Sequence, residues 1–154
     1  MYFPPYDQLI GAMKSATAAN KESDCITLPL NLFKALLQAA LASADFNEEN
    51  YLAANPDVRR QLQSKTGLTA NHHYIGYGYF EGRRGGMPNV DERWYLKTYP
   101  DVASAVNRGE IPSASEHFEV VGAIEGRAPS PEYLDVAAEW KLLLQSKNSD
   151  ILPH

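Results

Sequence analysis

Two histidines, His73 and His117, have the greatest chemical potential in this sequence, because each is followed at the same distance by an acid and a guanidinium. Glu81 and Arg83 follow the first; Glu125 and Arg127 follow the second. An imidazole beside such groups can act as a general acid or base. The competing reading is that each imidazole bridges helices, with one nitrogen bonded to a backbone carbonyl or to an acid. Duplication favours the second reading, since residues present in both copies of a unit serve the unit's own packing. The chain is therefore read as not an enzyme, and no residue is assigned a catalytic or cofactor-binding role. His72-His73 suggests a metal, but adjacent helical residues point about 100° apart and no third ligand has suitable spacing. No metal ligand is assigned, and no cofactor is expected.

Arg83 and Arg127 have a binding alternative of their own. With Glu81 and Glu125 they could clamp a sugar phosphate or carboxylate, which a guanidinium fork suits. Against this stands an ion pair from Arg83 to Asp57 or Asp101, tying the end of a unit to a helix start. The rings Tyr74, Tyr77, Tyr79, Phe80, Trp94, Tyr95 and Tyr99 are dense for so short a span. Exposed rings hold glycans, and equally they fill seams between stacked units. At least half must be core, which leaves Tyr77 and Tyr79 as candidate glycan contacts beside Arg83 and Arg127. Gly76-Tyr77-Gly78 lacks the third glycine and the preceding strand of a dinucleotide fingerprint. No nucleophile elbow, Walker loop or paired zinc-ligand motif is present.

The elements that position these residues occur twice. Tyr51-Leu52 and Asn55-Pro56-Asp57-Val58 return as Tyr95-Leu96 and Tyr99-Pro100-Asp101-Val102, and His73-Tyr74, Gly78 and Glu81-Gly82-Arg83 return as His117-Phe118, Gly122 and Glu125-Gly126-Arg127. Every pair is 44 positions apart, which marks a tandem repeat of one supersecondary unit. No stretch alternates β-branched residues, so the expected fold is all-α: two 44-residue repeats of short helices packed with flanking helices. Residues 1–45 form an N-terminal helical extension, 46–89 the first repeat, 90–130 the second, and 131–154 a C-terminal helix and loose tail.

Within each unit, Asn47 and Asp91 cap a first short helix, and Pro56 and Pro100 open a second, which ends near Lys65 or Gly109. Asn55 caps the second helix of the first unit; Tyr99 stands in its place in the second. Thr69 and Ser113 cap a third helix bearing the histidine. Gly78 and Gly122 are expected to stop that helix in a left-handed conformation. Upstream, a helix from about Tyr6 to Ala18 has Leu9, Ile10 and Met13 on one face. Thr27 and Pro29 open a second, with apolar residues on most sides through Leu41. This helix is read either as a central spine or as a dimer interface, with Phe33, Leu37 and Leu41 as the candidate contacts. Ser130-Pro131-Glu132 opens the last helix, whose buried side is read as Tyr133, Leu134, Val136, Ala137, Trp140, Leu143 and Leu144.

The duplicated motif resembles a tandem repeat of bacterial proteins linked to surface and extracellular polysaccharide production, where it is appended to some glycosyltransferases and occurs in large secreted repeat proteins. Tyr51, Pro56, Asp57, Val58, His73, Tyr74, Gly78, Glu81, Gly82 and Arg83 carry the resemblance, and so do their counterparts in the second copy, except that Phe118 stands for tyrosine. The resemblance covers about Phe46 to Pro129. It implies a setting in polysaccharide production but no catalytic residue.

The 154 residues carry a formal charge of −5, which argues against a nucleic-acid partner. The single cysteine, Cys25, permits no internal disulfide and suits a reducing compartment. No signal peptide is visible at the N-terminus, and the most apolar stretch, Leu28 to Ala42, is too short to span a bilayer. The expectation is a cytoplasmic, homo-oligomeric scaffold acting through protein–protein contacts, without membrane insertion. Its partner would be a second copy, a polysaccharide-biosynthesis protein or a glycan. The alternative is a carbohydrate-recognising module; an enzyme using His73 or His117 comes last.

Overall fold

The computed structural model describes residues 2–19, 28–64 and 67–145. Among them, the regular elements are all helical. Two helices lead, α1 (Tyr6–Ala19) and α2 (Leu30–Leu41). A first group of short helices follows, α3 (Glu48–Ala54), α4 (Pro56–Ser64) and α5 (Ala70–His73). A second group comprises α6 (Glu92–Thr98), α7 (Pro100–Asn107) and α8 (Ala114–His117), and α9 (Leu134–Gln145) is the last element among the described residues. The expected Thr27 cap, Cys25, most of the linker before α2, Lys65 and the tail after Gln145 lie outside the described residues.

Local chemistry sets the short helices. The Asn47 and Asp91 side chains each accept a hydrogen bond from a backbone N–H of the first turn, at 3.0 Å from Asn50 and 3.0 Å from Trp94. Thr69 and Ser113 do the same for α5 and α8, at 3.1 and 3.0 Å. Each such cap contributes about 1 kcal/mol. Pro56 and Pro100 occupy first helical positions, where a missing N–H costs nothing. Asn55 does not cap α4 as expected. It turns back, donating to the Tyr51 carbonyl at 2.8 Å and the Arg84 carbonyl at 2.9 Å. At the corresponding place, the Tyr99 hydroxyl accepts from the Ala128 N–H at 2.9 Å, so a different residue holds the equivalent loop.

α5 and α8 run directly into π turns, Tyr74–Gly78 and Phe118–Gly122. The wide turn is seen in the bonds from Tyr79 N–H to the Tyr74 carbonyl and from Ala123 N–H to the Phe118 carbonyl, both 2.9 Å. Gly78 and Gly122 lie inside these turns and lack the left-handed backbone expected of them. Positive φ falls instead on Gly82 (67°) and Gly126 (72°), in the turns that follow. What Gly78 and Gly122 supply is space, because a β-carbon on either would collide with the hydroxyl of Tyr51 or Tyr95.

The apolar interior is in two clusters. One gathers Leu9, Leu37, Leu41, Tyr51, Val58, Ala70, Tyr74 and Tyr79, so α1 and α2 cover the first group of helices. The other gathers Tyr2, Tyr95, Val102, Ala114, Phe118, Ala128 and Ala137, so α9 and the extreme N-terminal strip cover the second. α2 is therefore a lateral cover and not a central spine. Leu37 and Leu41, expected at an interface, are core residues, and Phe33 is packed partly against the same cluster. Leu134 and Leu143, expected to be buried, are exposed.

The strip before α1 joins the parts. Tyr2 meets Phe118 and Tyr133 edge to face, and its carbonyl accepts from the Trp140 indole N–H at 3.1 Å. The Pro4 carbonyl accepts from the Tyr79 hydroxyl at 2.6 Å. Tyr133 in turn donates to Asp45 at 2.8 Å, linking the turn before α9 to the start of the first group.

Candidate functional site

His73 and His117 are where their chemistry can be judged. Both are 8% exposed, at the junction of a helix and a π turn. His73 Nδ1 lies 2.9 Å from the Tyr51 hydroxyl, and His117 Nδ1 lies 3.0 Å from the Tyr95 hydroxyl. The partner is thus a phenol from a neighbouring helix, not the carbonyl or acid expected. Burial, helped by the charge of Arg83 or Arg127, depresses the affinity of each imidazole for a second proton. Burial also raises the phenols, Tyr51 to about 12 and Tyr95 further. With both groups neutral, the phenol is the better donor, so its O–H donates to Nδ1 and the ring proton resides on Nε2. Each Nδ1 is therefore engaged by a phenol of the same chain.

The arginines are likewise engaged within the chain. Arg83 contacts Asp57 at 2.8 Å and Glu81 at 2.6 Å, and Arg127 contacts Asp101 at 2.7 Å and Glu125 at 2.6 Å. Both nitrogens of the Arg127 fork reach Asp101, and its guanidinium stacks 4.9 Å over Tyr99. These contacts hold Asp57 and Asp101 below the ordinary carboxylate range. A clamp for a sugar phosphate would have to displace two acids from each arginine. The ion pair ties the turn after each π segment to the start of α4 or α7.

The candidate rings separate. Tyr77 is 62% exposed, but Tyr79 is 3% exposed and bonded to Pro4, so the two make no shared platform for a glycan. Tyr77 instead stands 5.8 Å from the His73 ring. His72 is exposed while its neighbour His73 is buried, as their angular separation on a helix requires. Among the described residues, no group of three or more His, Cys, Asp or Glu is placed to hold a metal ion. Nor is any helix among them long and apolar enough to cross a membrane.

The α2 face read as a candidate interface is exposed through Leu30, Leu32 and Leu36, Leu36 at 54%, and not through Leu37 and Leu41. One feature was missed in the sequence, a crevice of about 90 Å³ where the N-terminal strip, the first group and Glu119 of the second meet. Glu119 lies 44 positions after Ile75, so an acid stands where the matching position holds an apolar residue, and that difference was legible in the sequence. No protein-family model, curated protein or solved structure matches this chain.

Proposed function

We propose that this chain is a non-catalytic helical binding or scaffold protein acting through protein–protein contacts, of which self-association through α2 is the first. The outward face of α2 carries the reading. Leu32 and Leu36 are exposed one turn apart, flanked by exposed Ala35 and Ala39, and the helix contains one charged residue, Lys34. That lysine lies 5.3 Å from the Phe80 ring and faces the chain's own core. An uncharged apolar stripe of this kind marks an interface, and a two-fold dimer satisfies both copies with one patch.

On this reading, residues 46–89 and 90–130 are two copies of one 44-residue unit. The matched Tyr–His, Arg–Asp and capping contacts support that view, and they are the unit's own packing. The resemblance of the duplicated motif supports a setting in bacterial surface polysaccharide production, and the single cysteine, Cys25, suits a cytoplasmic one.

Light scattering across micromolar concentrations tests self-association. The unmodified protein is expected to be a dimer, and Leu32→Glu and Leu36→Glu are expected to give folded, helical monomers. A monomer for the unmodified chain would refute it.

A further inference from the structure

The crevice beside Glu119 carries an inference independent of self-association. Its walls are Pro5, Tyr6, Tyr74, Tyr79 and Met87, with Glu119, Arg83, Arg84 and Asp7 around them. Glu119 is half-buried, and one oxygen accepts from the Gly85 N–H at 3.0 Å. Burial pushes its carboxyl above the usual range, so a single amide and the nearby Arg84 do not fully compensate its charge. Tyr74 is 8% exposed and lines the same space; burial raises its phenol, and Glu119 is close enough for the carboxylate to raise it further.

We propose that this crevice binds an alkylammonium group, with Glu119 as its counter-charge, the Tyr74 oxygen as a second acceptor and the apolar wall holding the methylene stem. An anion is disfavoured by the surrounding acids. Arg83 is held by Asp57 and Glu81 and Arg84 by Glu116 at 2.8 Å, and an incoming anion would face Glu119 and Asp7. A sugar is disfavoured by the rings, because Tyr74 and Tyr79 pack edge to face at 6.0 Å and are sunk, leaving no open face for stacking. An ammonium donates all its hydrogens, which matches a lining that offers the Glu119 carboxylate and the Tyr74 oxygen as acceptors, and its stem suits an apolar passage. The ammonium can arrive free, on a small amine, or on the lysine side chain of another protein.

NMR titration of the full chain tests this, with n-butylammonium and Nα-acetyl-lysine amide as probes and n-butanol as the neutral isostere. Saturable shifts of the Met87 methyl with either amine, and none with n-butanol, are expected. The tighter of the two amines distinguishes a free ligand from a side chain. Glu119→Gln keeps an acceptor for the Gly85 N–H and so keeps the fold, yet should weaken binding about tenfold or more by removing the charge-assisted bond. Tyr74→Phe keeps the ring and should weaken it a few-fold. Absence of saturation with both amines, equal binding of n-butanol, or unchanged affinity in folded Glu119→Gln would each overturn the proposal.

Discussion

The Tyr51 hydroxyl occupies the space that a β-carbon on Gly78 would need, and Tyr95 stands in the same relation to Gly122. Each phenol is also the partner of a histidine, so one tyrosine fixes a helix, a π turn and an imidazole together. Gly78→Ala and Gly122→Ala should each cost about 1–3 kcal/mol by overpacking. Adding Tyr51→Phe or Tyr95→Phe to the matching glycine variant should recover part of the loss, because the collision is with the hydroxyl. Urea unfolding midpoints check both; unchanged midpoints in the alanine variants would show that the ring can move aside.

The histidines make stability depend on pH. Burial lowers the folded-state proton affinity of His73 and His117 below the ordinary 6.5. The unfolded chain therefore binds those protons first, so the contribution is complete above about 6.5 and is lost as pH falls through the depressed folded values. Midpoints measured from about pH 8 to pH 5 should fall over the lower part of that range. His73→Gln with His117→Gln should flatten this step while leaving the later loss caused by Asp57 and Asp101, whose depressed carboxyls titrate at lower pH.

Removing an imidazole separately tests whether it is structural. His73→Ala or His117→Ala leaves a buried phenol without its acceptor and should cost about 1–3 kcal/mol. Differential scanning calorimetry of both variants should show similar losses. A variant that melts as the unmodified protein does and yet loses cellular activity would instead assign that histidine a chemical role.

The two arginines should differ in effect. Arg127 is the more enclosed, bonds Asp101 through both nitrogens and stacks on Tyr99, whereas the Arg83 contact to Asp57 uses one nitrogen. Arg127→Ala should cost about 1 kcal/mol, most of it from the ring contact that salt does not screen. Arg83→Ala should cost less, and the cost should shrink in molar salt. Thermal melts of both variants at low and high salt check the order.

Much of the helical layout was legible in the sequence, because caps and prolines act locally. Asn47, Asp91, Thr69 and Ser113 read as N-caps and are N-caps. The Arg83–Asp57 pairing was also foreseeable from charge and spacing. The roles of Gly78 and Gly122 were not, because glycine in sequence says that a side chain is intolerable without saying whether backbone or neighbour forbids it. Tyr79 and Leu37 were misplaced for a related reason. Whether a ring or a leucine is covered depends on a remote partner, here the Pro4 carbonyl for Tyr79 and α1 with the first helical group for Leu37. The crevice at Glu119 is likewise made by three segments distant in sequence.

The Trp140 indole holds the Tyr2 carbonyl across 138 residues of chain. During synthesis, the strip that seals the second cluster is made well before its clasp, because Trp140 follows Tyr2 by 138 residues. Tyr95 and Phe118 emerge from the ribosome before α9 can cover them, so the nascent chain passes through a stage with an open aromatic seam. Contacts of such long reach slow folding and expose the intermediate to aggregation. A chain arrested before α9 should accordingly be a better substrate for chaperones than one that includes it.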